Sequence, residues 1–140
     1  MANPSLAATQ ASILSALISS SAIKAVVGDP ARVYGHVPQG DVTSPYIVLA
    51  DMTAGPLEDK STKGVSVQMT IEAWSARDYR GHGDCLECLD AIYGVLHRGT
   101  LTITGNLHTL TRFEAAETGR STDGVSYFGR ATYGVIVRGT

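Results

Sequence analysis

The sequence predicts an α+β fold, a mainly antiparallel sheet of about five strands with two main helices packed on one face. Three observations carry this. Two stretches of helical periodicity, one near the start and one after Asp78, are separated by three extended segments, and two further extended segments close the chain. Between 65 and 74, Val65, Val67, Met69, Ile71 and Ala73 alternate with Ser66, Gln68, Thr70, Glu72 and Trp74, as in a strand with one buried and one largely polar face. The 140 residues contain no repeat, low-complexity tract or linker, so a single domain over 1–140 is expected.

Asn3 or Ser5 can cap the first helix, with Leu6, Gln10, Ile13, Leu14, Leu17 and Ile18 following at helical spacing. Ser19-Ser20-Ser21 breaks it and offers a new cap before Ile23, Val26 and Val27, and Gly28-Asp29-Pro30 stops it. Arg32–Val37 and Tyr46–Met52 read as the first two strands. Thr53–Gly64 has no apolar period and carries Gly55, Pro56 and four charges, which predicts a long exposed hairpin loop. In the second helix, capped by Asp78, the stripe is Cys85, Leu89, Ile92 and Leu96, flanked by Leu86 and Cys88, with Gly99 as the stop. Leu101–Thr104, Leu107–Ala115 and Val125–Val137 are rich in strand formers, with a polar turn Glu117–Gly124 between the last two. Short connections within each strand group predict antiparallel pairing.

Composition narrows the function. Charged residues make up 17% of the chain, below the roughly 25% of soluble domains, and mean hydropathy is +0.05. That balance predicts apolar surface covered by other subunits. Eleven basic against 13 acidic residues give a net charge of −2, which leaves no positive excess for neutralising phosphates. Ser, Lys or Gly interrupts every apolar stretch well short of the roughly 20 residues that span a bilayer, and Met1-Ala2-Asn3-Pro4 lacks a basic leader. No membrane association and synthesis in the cytoplasm are the expectations.

Chemistry is sparse. His82, Cys85 and Cys88 share one side of a helix and could supply three zinc ligands, but no second Cys-x-x-Cys or paired His motif offers a fourth. A redox pair belongs at a helix start, whereas these thiols lie well after Asp78, so they read as buried core residues. His36, His82, His97 and His108 are scattered, no Gly-x-Ser-x-Gly elbow or phosphate loop occurs, and the pairs Glu58-Asp59 and Glu114/Glu117 read as solvated surface. No enzyme activity, metal or cofactor is expected. Trp74, on the polar face of its strand, needs cover, either beside Tyr79 or a loop of the same chain or at an inter-subunit contact.

The order of several short stretches resembles a known family. They are Ala25-Val26-Val27-Gly28, Arg32-Val33-Tyr34, Val37-Pro38-Gln39-Gly40, Pro45-Tyr46-Ile47-Val48, the run Val67 to Ser75, a helix after Arg77-Asp78, and Glu114-Ala115-Ala116-Glu117 before Tyr127 to Tyr133. Together they resemble the tail-completion, or tail terminator, proteins of long-tailed phages and phage-like gene transfer agents. The resemblance covers nearly the whole chain and departs at Gly81, Gly83 and the Cys pair.

What the resemblance implies is a non-enzymatic virion protein at the head-proximal end of the tail. It would form a homo-hexameric ring on the tail tube protein and join it to the head-side connector or stopper protein, with DNA only passing through the channel. The expected inter-subunit or docking residues are Gly55, Pro56, Leu57, Glu58, Asp59, Lys60 and Lys63 in the first loop, Trp74, and Arg120 and Asp123 in the second. The alternatives are another neck ring, a stopper or adaptor, and a small-ligand-binding α+β domain with a pocket near His36, His108 and Trp74.

Overall fold

Ser5 caps the first helix, α1 (Leu6–Ser19), its hydroxyl accepting a hydrogen bond from Ala8 N at 3.1 Å. A computed structural model of the chain describes residues 5–35, 45–56, 64–76, 82–99, 101, 103, 106–120 and 126–139. Ser20 ends α1 and caps α2 (Ser21–Val27) by accepting from Ile23 N at 3.4 Å, so the serine run does break one helix into two. Gly28, at φ 88°, then takes the left-handed conformation that a side chain would resist. No single described helix is long and apolar enough to cross a membrane. Ile13, Leu17, Ile23 and Val27 are instead buried in the core.

The remaining elements are β1 (Val33–Tyr34), β2 (Tyr46–Pro56), β3 (Gly64–Ala76), α3 (His82–Leu96), β4 (Asn106–Arg120) and β5 (Ser126–Gly139). The five strands form one sheet in the order β1-β2-β3-β5-β4. α3 therefore leaves β3 and returns the chain to the far edge, and β5 closes the gap beside β3. The period-two run behaves as its alternation requires. Val67, Met69, Ile71 and Ala73 are buried and lie beside Val135, Tyr133, Ala131 and Gly129 of β5.

The helices cover that face, and Gly129 sets how closely α3 approaches. A Cβ there would sit 3.0 Å from Leu89 Cδ1 and 3.4 Å from Cys85 Cβ, so even alanine would make the Leu89 side chain give way. Cys85, Cys88, Leu89, Ile92 and Leu96 supply its buried stripe.

Five sequence expectations need correction. β1 pairs parallel to β2, which the length of chain between Tyr34 and Tyr46 permits and a tight hairpin would not. β2 runs to Pro56 and β3 starts at Gly64, so Thr53–Pro56, Gly55 included, are ladder residues, and only 57–63 remain between the strands. β4 likewise continues through Glu117 to Arg120, which shortens the second loop to 121–125. In both hairpins, polar composition records a strand exposed on both faces rather than a loop. Finally, Leu101 and Ile103 are buried but lie outside any strand; alternate burial without pairing produces the same pattern. α3 also stops earlier than Gly99, with Arg98 in the left-handed region at φ 57°.

Candidate assembly surface

The sheet face away from the helices carries the polar half of the alternation. Tyr46, Trp74 and Phe128 stand side by side across β2, β3 and β5, and the Trp74 and Phe128 rings lie 5.8 Å apart. Tyr34 of β1 extends the row, its ring 6.2 Å from that of Tyr46. Trp74 is half-buried, with Phe128 packed on one side of it; Tyr79 lies outside the described residues.

Next to this row sits an ionic cluster. Arg130 donates to Glu72 Oε2 through Nε at 3.0 Å and Nη2 at 2.8 Å, and through Nη1 to Glu117 Oε1 at 3.2 Å. Glu72 Oε1 also accepts from the Trp74 indole at 3.4 Å. The hydrogen bonds from Arg130 to Glu72 stabilise the charged guanidinium and raise its pKa further, against the cost of partial burial. Burial, with the Glu72 charge behind it, pushes the Tyr46 phenol up as well. One guanidinium thus ties together two carboxylates, and the cluster keeps a net negative charge.

Gly55 and Pro56 close β2, and Arg120 closes β4 with its guanidinium 5.9 Å over the Tyr127 ring. Leu57, Glu58, Asp59, Lys60, Lys63 and Asp123 lie outside the described residues. The strand ends flanking 57–63 and 121–125 are at opposite ends of the sheet. Pro56 is level with Val137 and Arg120 with Tyr127, a separation of ~30 Å at ~3.3 Å per residue.

Outside this face, Cys85, Cys88 and His108 are engaged in structure. Burial pushes the Cys85 thiol up to about 11 and the Cys88 thiol up to about 12, with the neighbouring Asp84 charge adding to the effect in both. These thiols lie nearer the observed start of α3 than an Asp78 cap implies, yet desolvation outweighs any helix-end effect. Among the described residues no three His, Cys, Asp or Glu side chains group as metal ligands. His108 accepts from Leu101 N at 3.4 Å through Nδ1 and faces Thr111 Oγ1 at 2.7 Å through Nε2, fastening the buried 101–103 segment to β4. It is level with Val137 and Trp74 with Phe128, again ~30 Å apart along the strands, so these two do not line one pocket. His36 lies outside the described residues.

Shallow surface depressions of about 140, 310 and 180 Å³ occur among the described residues, the second lined by Thr53 to Pro56, Ser66 and Gln68. None brings a nucleophile to a base. One face covered by helices and one face set with charge and aromatic rings define a small α+β domain.

A family model described as tail completion protein gp17 matches residues 11–138. The chain belongs to this family and so to the structural proteins of phage tails. The same fold occurs in a chain of the virion of a native gene transfer agent particle, with a TM-score of 0.84 at 21% identity, covering 96% of this chain and 100% of that one. No curated protein matches the sequence.

Proposed function

We propose that the protein is a tail terminator, a non-enzymatic subunit that closes into a homo-hexameric ring on the head-proximal end of the tail tube. The ring joins the tube protein to the head-side connector or stopper of a phage or phage-like particle, and DNA slides through it without sequence-specific contact. The observation that carries this reading is the family match over 11–138, taken together with an end-to-end fold match to a virion chain. The net charge of −2 supports a channel that does not hold DNA.

A ring in a stack meets one partner on each side, and the opposite placement of the two hairpin ends suits that arrangement. Glu58, Asp59, Lys60 and Lys63 would contact one partner and Arg120 and Asp123 the other. Mass measurement of purified tails tests the ring, and one copy per particle would overturn it. Shortening 58–62 or 121–124 should leave folding nearly intact, because loop length alters closure entropy only slowly. Each deletion should block joining at a different interface, counted as free tails or empty heads beside the wild type. Normal numbers of DNA-filled, tailed particles from both would remove these segments from the mechanism.

A further inference from the structure

The sheet has two long stretches of edge that no described residue pairs with. On one side, β1 covers β2 only at Ile47 and Val48, and Asp51–Pro56 continue with their outer edge unpaired and mostly exposed. On the other side, the turn that follows α3 covers β4 as far as Phe113, through Arg98 N to Thr111 O at 2.7 Å and Phe113 N to His97 Nδ1 at 3.0 Å. Beyond that point residues 114–120 present an outer edge with no described partner. Unpaired ladder groups template the pairing of another strand. Edges that stay monomeric are usually blocked by charge or proline; here Ala115, Ala116, Thr118 and Gly119, like Thr53, Ala54 and Gly55 on the other edge, are small, Glu114 and Glu117 are drawn inward by Gln68 and Arg130, and Pro56 stands at the far end of its edge.

Direction and side chains fit the two edges to each other. Three antiparallel pairings separate β2 from β4, so the two strands run in opposite senses. A second copy rotated about an axis roughly along the strands brings its β2 beside this β4 in antiparallel orientation. Leu86 is 51% exposed on the helix side of the β4 edge, where it lines a depression of about 180 Å³ with Leu89, Ala116 and Thr118. Met52 and Ala54, which pair with Met69 and Val67, are on the helix side of the opposite edge. Pairing β4 with β4 would leave the β2 edges open, while pairing β4 with β2 covers both by one repeated contact, the geometry that generates a ring.

We infer that the sheet continues from one copy of this chain to the next, with residues 114–120 of β4 pairing with the Asp51–Ala54 region of the neighbour's β2. The free halves lie at different levels along the strands, so neighbours are staggered and the strands incline to the ring axis. This rests on the ring proposed above and adds the surface that builds it.

Disulfide trapping in assembled tails tests it. Ala116→Cys or Thr118→Cys is combined in turn with Met52→Cys or Ala54→Cys, four double variants that sample neighbouring registers; the native thiols are buried and do not compete. At least one double variant should give a reducible ladder of multimers, and every single variant should stay monomeric on a non-reducing gel. Ladders from a single variant would show like edges meeting and overturn the pairing. So would the absence of ladders from all four in tails that carry several copies, a result that leaves the ring reading intact. One copy per tail would overturn both.

Discussion

The two faces of the sheet obey the same period of two but are held by different forces. On the helix side, Val67, Met69, Ile71, Tyr133 and Val135 are sealed under α1 to α3, and the contribution is burial. On the other side, Glu72, Arg130, Glu117, Trp74 and Phe128 make directional contacts at partial exposure, where each interaction is worth less. The contrast separates what keeps the subunit folded from what it offers to other chains. Substitutions on the first face should act through stability and those on the second mostly without unfolding.

Ile71→Ala should break the sealed face most severely, costing about 2 to 5 kcal/mol through lost transfer energy and the cavity left behind. Denaturant unfolding would read it; a cost below 1 kcal/mol would mean that the helix layer is loosely packed. Replacing Cys85 and Cys88 together by Ala should cost about 1 to 3 kcal/mol by the same mechanism while particle assembly persists. Because their folded pKa values are raised, both thiols stay protonated at neutral pH, and alkylation of the native protein should follow its unfolding rate. Rapid labelling of folded protein would contradict their burial.

On the open face, Glu72→Gln should cost about 1 to 2 kcal/mol, since it weakens a charge-assisted pair whose Arg130 side is 43% exposed. A thermal melt with and without high salt separates this charge effect from packing. Tyr133→Phe runs the other way. The hydroxyl is buried with no hydrogen-bond partner among the described residues, so removing it should raise stability by about 1 kcal/mol, and a loss would reveal a partner for it.

The smallest expected effect is a pH slope. Burial lowers the His108 pKa below 6.5, so the unfolded chain binds its proton first. The stability from neutral His108 is therefore complete above pH 6.5 and is lost as pH falls through the lower folded value. Protonation would also set an Nδ1 proton against the Leu101 N–H. His108→Gln should flatten the melting temperature between pH 7 and 5, and an unchanged slope would assign it to other groups.

Wherever the environment of a residue follows from its neighbours in sequence, the sequence is explicit. The serine caps, the Gly28 stop, the one-sided β3 and the α3 stripe all express local hydrogen bonding or the periods 3.6 and 2. A resemblance in residue order was enough to point to the tail completion family. What depended on distant parts of the chain was not legible. Thr53 and Glu117 look like loop residues in sequence, and only the pairing partner decides that they belong to a ladder. Trp74 needed a cover that the sequence could not choose, and β5 supplied Phe128 from 54 positions away. The parallel β1, the insertion of β5 between β3 and β4, and the two open edges were likewise decided by tertiary structure. Strand order is settled by which edges remain free when α3 closes over the core, and that competition leaves no mark on any short stretch of sequence.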